Sequence, residues 1–224
     1  NIAPDHLDYY RDLAHIQETF LKFIETLPPG GLLIANADDE PTRALSLDIR
    51  RVPYHLKRFG MQGIGEFQAR HARTTKGQQE FTLLTYKGDT IVMNLHMPGT
   101  FNVANALAAI TLAHEMGVSL EIIKKVLNEF TGIWRRFEYI ADLELENDVN
   151  PVTIISDYGH HPDAIAETLK GARAFFPGRR LVLVYQPHQH NRTQKLFNEF
   201  ADVLQEPDVL LLSDIYDVTG RVAE

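Results

Sequence analysis

Four histidines fall at two points where an apolar run gives way to polar residues. Val152-Thr153-Ile154-Ile155 stops at Ser156-Asp157-Tyr158-Gly159-His160-His161-Pro162, and Leu181-Val182-Leu183-Val184-Tyr185 stops at Gln186-Pro187-His188-Gln189-His190-Asn191-Arg192-Thr193. Imidazoles can move protons or bind metal near neutral pH, and a guanidinium matches phosphate and carboxylate geometry. A helical pattern follows the first cluster and Pro177-Gly178 ends it, so the order is strand, loaded turn, helix, strand, loaded turn. Two parallel strands joined by a right-handed helical crossover carry both clusters to the carboxyl edge of one sheet, where open α/β sheets bind ligands. Asp157, His160, His161, His188, His190 and Arg192 are therefore expected to face one crevice.

Four smaller groupings could also carry chemistry. Asp5-His6-Leu7-Asp8 sets an imidazole among carboxylates at a strand-to-helix junction, which suits either a divalent cation or helix capping. Asn36-Ala37-Asp38-Asp39 ends an apolar run and suits an Asx turn and N-cap as well as a ligand. Asn102 and Asn105 lie one helical turn apart, where both amides can reach a planar base edge or one of them can cap the helix. Arg135-Arg136-Phe137-Glu138 offers two guanidinium groups for bidentate phosphate recognition, or simply a charged surface.

Other chemistries are excluded. No GxxxxGK[ST] loop occurs, Gln68 stands where the last glycine of GxGxxG would follow Gly63 and Gly65, and His114-Glu115 lacks the second histidine of HExxH. With no cysteine, disulfides, thiolate catalysis and Cys-based metal sites are excluded.

The elements that must position these residues alternate in type. Apolar positions recur at helical spacing from Tyr10 to Leu27, Leu32 to Ala35 is a short buried strand, Pro41 to Leu47 suits a helix, and Val52 to Phe59 reads as extended. Phe67 to Arg73, Glu80 to Tyr86 and Thr90 to His96 are expected to form an antiparallel insert or edge, with a turn at Lys87-Gly88-Asp89. Thr100 or Asn102 can cap a helix that runs to Gly117, and a second helix follows Ser119. Ile133 to Val149 reads as irregular, Thr193 to Leu204 as a helix, and Val209 to Leu212 as a strand. The whole is α/β, with a domain junction expected within Gly132 to Arg136, so that residues 1–133 and 134–224 form two domains.

A chain of 224 residues with 44% hydrophobic content can bury two modest cores. Its formal charge of −8 provides no general field for nucleic acid or an anionic membrane, although local arginines can still hold a phosphate. No apolar run reaches the roughly 18 residues of a membrane span, and no signal-peptide pattern opens the chain. The composition reads as a cytoplasmic protein, and a start on Asn1 at what looks like a strand end suggests that upstream sequence is missing.

With these motifs assembled, the chain resembles the Mur ligase family. The resemblance runs along the whole chain: NIxxDHxD at Asn1 to Asp8, the acidic pair Asp38-Asp39, PGxxNxxNALAA at Pro98 to Ala109, GxxRRFE at Gly132 to Glu138, and the DYGHHP and QPH clusters. It implies the later part of a central ATP-binding domain followed by a Rossmann-like, mostly parallel C-terminal domain that binds the amino acid. Within the family it is closest to the branch that joins L-alanine to UDP-N-acetylmuramate in peptidoglycan synthesis, through an acyl phosphate, with ATP and Mg2+. By match of position, His6 would bind magnesium and Asn102 and Asn105 would hold adenine. Arg136 and Asp157 would lie near the phosphates and ribose, and His160, His161, His188 and Arg192 would orient the amino acid and acyl phosphate. The family's N-terminal and P-loop segments are not in these 224 residues, so the chain by itself is expected to be inactive. Phe101, Ser156 and Gln189 depart from the pattern, at positions where the family commonly has His, Asp and Arg. Two other readings of the same residues are a relative that recycles tripeptide onto UDP-N-acetylmuramate and a histidine-rich metal hydrolase with Asp157, His160, His161 and His188 as ligands. A third is a nucleotide-binding interaction module.

Overall fold

A computed structural model describes residues 1–4, 6, 9–48, 54–75, 78–146 and 151–216. The chain divides into two compact units: one holds 1–73, 79–95 and 100–129, the other 74–78, 96–99 and 130–224.

The first unit is a mixed sheet with helices. Helix α1 (Leu13–Ile24) starts where the Asp12 carboxylate accepts the His15 N–H at 2.8 Å, and such a cap contributes about 1 kcal/mol. Strand β1 (Leu32–Asn36) leads into α2 (Glu40–Asp48), and β2 (His55–Gly60), β3 (Phe67–Thr75), β4 (Gln78–Thr85) and β5 (Thr90–Leu95) complete a sheet in the order β1-β2-β3-β4-β5. β1 and β2 are parallel from Leu32↔His55 to Asn36↔Phe59, and β4 and β5 are antiparallel. In β4, Gln79, Phe81, Leu83 and Thr85 are buried at every second position, the two-residue period of a strand with one covered face. The turn to β5 closes at Gly88, φ +89°, where a side chain would be strained.

Here the structure corrects an expectation. The segment from Phe67 is the edge of the sheet and not a separate insert: β4 and β5 pair antiparallel as expected, and the departure is at β3, which pairs parallel with β2 through Phe59↔Phe67 and Gly60↔Gln68. A parallel pair normally needs a long crossover. The short link instead folds back on Gly63 and Gly65, both at positive φ, and the Glu66 carboxylate and N–H both bond the Arg58 backbone. Helix α3 (Thr100–Glu115) covers the sheet with Val103, Leu107 and Ile110, against a core of Phe67, Phe81, Leu83, Met93 and Leu95. Helix α4 (Leu120–Glu129) follows, with Ser119 Oγ accepting the Ile122 N–H as expected.

The second unit contains two short ladders. β6 (Glu138–Leu143) and β7 (Val152–Ser156) are antiparallel, and β8 (Val182–Tyr185) and β9 (Val209–Leu212) are parallel. β6 falls inside a stretch read as irregular. Its residues do not alternate in burial, and its strand geometry comes from pairing with β7, helped by Thr153 Oγ1 donating to Asp142 at 2.6 Å. A second correction concerns β7 and β8, which were expected side by side. Each completes its own ladder with another strand, and Arg179, in the loop before β8, donates to Thr153 Oγ1 and to the Pro151 carbonyl. Helix α5 (Pro162–Phe175), with Pro at its first turn, α6 (His190–Lys195) and α7 (Phe197–Val203) complete the unit. The single helix expected from Thr193 is broken at Leu196, φ −112° and ψ 29°. Ile165, Leu169, Tyr185, Phe200 and Val203 form the core. No described helix is long and apolar enough to cross a membrane.

Candidate functional site

In the first unit the polar residues at the end of β1 are committed to local structure. Asn36 Oδ1 accepts the Asp38 N–H at 3.0 Å, an Asx turn, and Asp38 in turn accepts the Met61 and Gln62 N–H groups. Asp39 caps α2: its Oδ2 accepts the Thr42 N–H and the Ile2 N–H, each at 3.0 Å. Burial works to raise the Asp39 pKa, but these bonds and that from the Thr42 hydroxyl outweigh it and hold the carboxyl below its usual range. The Asx turn and the N-cap expected of Asn36-Ala37-Asp38-Asp39 are thus both formed, by Asn36 and Asp39.

Asn102 and Asn105 lie in the first turns of α3, the former buried and the latter exposed. Helix α3 starts at Thr100, so Asn102 is inside the helix and not at its cap. Asn105 Nδ2 donates to Asn102 Oδ1 at 3.3 Å, which pairs the amides in one fixed arrangement. His6 is exposed, with φ +53°, and its carbonyl accepts the Tyr9 and Tyr10 N–H groups. Asp5 and Asp8, the carboxylates considered beside it, lie outside the described residues.

The second unit brings together two motifs that are 20 residues apart in sequence. Asp157 Oδ2 accepts the Phe137 N–H at 2.9 Å, Asp157 Oδ1 accepts the Gly159 N–H at 2.6 Å, and the Tyr158 N–H donates to the Arg135 carbonyl at 2.8 Å. The Glu138 carboxylate accepts the Arg135 N–H at 2.8 Å. Arg135 and Phe137 are thereby held at φ +55° and +50°, left-handed conformations that cost a side-chain-bearing residue about 1–3 kcal/mol each and persist where surroundings over-determine them. The guanidinium of Arg135 lies 4.8 Å from the Tyr158 ring centroid and 5.5 Å from that of Trp134, and Arg136 lies 5.7 Å from Tyr158. Among the described residues neither arginine is ion-paired.

His160 packs edge-on against Tyr158 at 5.0 Å, and its Nδ1 is 3.2 Å from the Tyr158 carbonyl. A carbonyl only accepts, so this bond requires the tautomer with its proton on Nδ1. His161 is the N-cap of α5: its Nδ1 accepts the Asp163 N–H at 3.4 Å. The second cluster is tied to Tyr216. The His188 ring lies 5.5 Å from the Tyr216 ring, the Gln189 N–H donates to the Tyr216 carbonyl at 2.9 Å, and Gln189 sits at φ +72°. Arg192 is half-buried on α6.

Among the described residues no group of three or more His, Asp or Glu side chains is placed to hold a metal ion. The histidine-rich metal centre is therefore not assembled, since the imidazoles at the two strand ends follow separate ladders. Trp134, Tyr158 and Tyr216 were not singled out from sequence, yet they supply the rings against which Arg135, Arg136 and His188 rest. The signal available was the chain's single Trp standing beside the arginine pair.

Comparison with known proteins agrees along the chain. The model of the Mur ligase middle domain matches residues 1–113, and that of the Mur ligase glutamate ligase domain matches residues 135–219. The UDP-N-acetylmuramate–L-alanine ligase of Burkholderia orbicola (strain MC0-3) is 38% identical over 220 residues, covering 96% of this chain and 46% of that protein. The ligase of the same name from Psychrobacter sp. (strain PRwf-1) is 38% identical, covering 96% and 44%. The chain thus spans under half the length of these relatives. The crystal structure of a UDP-N-acetylmuramate-alanine ligase from Thermotoga maritima superposes with a TM-score of 0.74 at 28% identity, covering 95% of this chain and 44% of that one. MurF ligase from the same organism, in complex with ADP, shares the fold at TM-score 0.75 and 16% identity, covering 95% and 47%. From its first residues through the Arg135-Arg136 loop to the QPH cluster, the chain belongs to the Mur ligase family.

Proposed function

We propose that the chain is the portion of an ATP-dependent, cytoplasmic ligase that joins L-alanine to UDP-N-acetylmuramate, with residues 1–133 in its nucleotide-binding domain and 134–224 in its amino-acid-binding domain. The observation that carries this reading is the interlock of Arg135-Arg136-Phe137 with Asp157-Tyr158-Gly159, which holds on aromatic rings two guanidinium groups that have no ion pair among the described residues. Such groups suit phosphate oxygens, and the likeness to alanine ligases supports the choice of substrates.

ATP would supply the phosphoryl group that activates the sugar's carboxylate for attack by the amine of alanine. The paired amides of Asn102 and Asn105 present a fixed pattern of donor and acceptor to a planar base. Arg136 offsets negative charge gathered on phosphate, where preorganised cations are most effective. Asp157 spends one lone pair of each oxygen on the backbone and keeps others for a ribose hydroxyl. His160 is the group to take the proton that the ammonium of alanine must lose before its amine can attack and displace phosphate, while His188 and Arg192 orient the amino acid and acyl phosphate. His161, already capping α5, fixes the turn that carries His160. Magnesium is matched to His6; an imidazole supplies one nitrogen to an ion that demands several oxygen ligands, and no group of three or more His, Asp or Glu side chains among the described residues completes such a site.

The test uses a longer protein that contains these residues. Phosphate release should require ATP, UDP-N-acetylmuramate and L-alanine together, while the 224-residue chain alone should release none. Asn105→Ala should weaken nucleotide binding, and His188→Ala should lower kcat/KM for alanine with nucleotide affinity nearly unchanged. Release driven by tripeptide in place of alanine, or by water alone, would refute the assignment. A His188→Ala variant that loses nucleotide and keeps its alanine response would reverse the two roles.

A further inference from the structure

Beyond the ends of β8 and β9 the two strands meet once more, in a parallel bridge between His188 and Tyr216. Within the ladder Val182 faces Val209 and Tyr185 faces Leu212, and just past it the Ser213 N–H donates to the Tyr185 carbonyl at 3.0 Å. Continued in that register, His188 would face Ile215. The second strand therefore carries one extra residue before the bridge, a bulge, and because side chains alternate between faces, that slip brings Tyr216 and not Ile215 beside His188. The Tyr216 N–H donates to the Pro187 carbonyl at 2.8 Å and its carbonyl accepts the Gln189 N–H at 2.9 Å, so the residues on both sides of His188 are clamped. This clamp sets where the Cα–Cβ bond of His188 points. It leaves the imidazole free to turn, since the outer torsion of histidine is broad and roughly twofold. The Tyr216 ring lies against that imidazole, with centroids 5.5 Å apart and planes tilted by 34°. Tyr216 is 53% exposed, so no core holds its ring there.

We infer that Tyr216 is a positioning residue for His188: its backbone aims the residue and its ring limits the imidazole to one plane. The inference rests on the reading above of His188 as a group that orients the amino acid, and adds the side chain through which that orientation is kept. A functional group acts from a fixed place only when packing locks its rotamer, and an aromatic contact of this kind changes an equilibrium about two- to tenfold. The contact is made by the ring, so the effect follows the ring and not the hydroxyl. Because the clamp uses backbone groups alone, a change of side chain at Tyr216 removes the ring and keeps the bridge.

Two measurements test this. In the 224-residue chain, the His188 ring resonances, identified by their loss in His188→Ala, should move in Tyr216→Leu and stay near their place in Tyr216→Phe, with far-UV circular dichroism unchanged in both. In a longer protein that contains these residues, Tyr216→Leu should lower kcat/KM for alanine about two- to tenfold with KM for ATP unchanged, and Tyr216→Phe should keep most of the activity. In a His188→Ala background Tyr216→Leu should add no further loss, because a residue that acts through the imidazole has nothing left to position. His188 resonances indifferent to Tyr216→Leu would overturn the inference. So would losses that add in full in the double variant, or an equal loss for ATP and alanine, which would show a structural role only. Should the longer protein release no alanine-dependent phosphate, the ligase reading falls, and the His188 resonances still decide whether Tyr216 sets the imidazole.

Discussion

Asp157→Ala is the perturbation that most directly tests how the arginine loop is held. The carboxylate accepts the Phe137 N–H at 2.9 Å and the Gly159 N–H at 2.6 Å, and hydrogen bonds to a charged group contribute about 1.5–3 kcal/mol each. The pair therefore stabilises the loop by about 3–6 kcal/mol. Against this stands the left-handed backbone at Arg135 and Phe137, which costs about 2–6 kcal/mol for two residues. The terms are of similar size, so the loop keeps its shape only while the carboxylate is present. In the alanine variant the strain relaxes and the freed amides of this partly exposed loop bond to water, so the expected net loss is about 2 kcal/mol and not the full value of both bonds. Urea unfolding followed by far-UV circular dichroism measures the loss. The Phe137 and Gly159 amide resonances should shift, and Arg135→Gly in the Asp157→Ala background should restore about 1 kcal/mol, because glycine adopts positive φ freely. A loss below about 0.5 kcal/mol with both resonances in place would refute the reasoning and show that the loop holds itself.

Two more outcomes test the second unit by pH. Asp208 is held at about 2, below its usual 3.8, by the Arg173 guanidinium at 2.7 Å and then by the Leu181 N–H at 2.6 Å. Its contribution is present above 3.8 and is lost as pH falls through the folded value, so Asp208→Asn should flatten the acid limb of a stability profile between pH 4 and 2; an unchanged limb would remove the pair from the account. Tyr185 is buried at the end of β8 with a hydroxyl that has no partner among the described residues, and burial pushes its pKa up to about 12 despite the opposing charge of Arg192. Because the folded pKa is raised above the ordinary 10, stability should fall as pH climbs from 10 toward 12, and Tyr185→Phe should abolish that fall. The same variant should be about 1 kcal/mol more stable near neutrality, since it removes an unsatisfied buried group; a less stable Phe variant would show that the hydroxyl has a partner in solution.

What was legible in the sequence was whatever local periodicity or turn chemistry decides. Ser119 caps its helix as read, the helices capped by Asp12 and His161 are announced by their apolar stripes and not by those caps, and the strand before Asn36 and the hairpin around Gly88 follow from short apolar runs and turn residues. Pairing partners were not legible, because a strand's sequence records which face is buried and not which neighbour bonds its edge. β3 could be read as a strand from Phe67 onward, but its parallel partnership with β2 depends on Gly63, Gly65 and the reach of Glu66 back to Arg58. β6 shows no alternation at all and exists because β7 lies beside it. The candidate site divides in the same way. His160, His161 and Asp157 could be named from their cluster, whereas the contact of Asp157 with a backbone amide 20 residues earlier is a property of the folded loop.

The backbone itself marks these segments independently of their residue types. Five non-glycine residues among those described have positive φ, and four of them, His6, Arg135, Phe137 and Gln189, lie in motifs that the residue chemistry had already singled out. The fifth, His71, lies within β3, away from any of them. Glycine would hold each of these conformations with less strain, so a side chain kept there at a cost of about 1–3 kcal/mol has to be offset by its surroundings. At Gln189 the offset is visible: its N–H donates to Tyr216 O, and its own carbonyl accepts both the Thr193 N–H and the Thr193 hydroxyl. Those bonds fix the direction in which the chain leaves His188 and enters the helix carrying Arg192. The strain at Arg135 and Phe137 aims guanidinium groups at an aromatic face, and the strain at Gln189 fixes where an imidazole and a third guanidinium emerge. In both places it is the departure from relaxed backbone, and not the residue alone, that turns a common side chain into a positioned one.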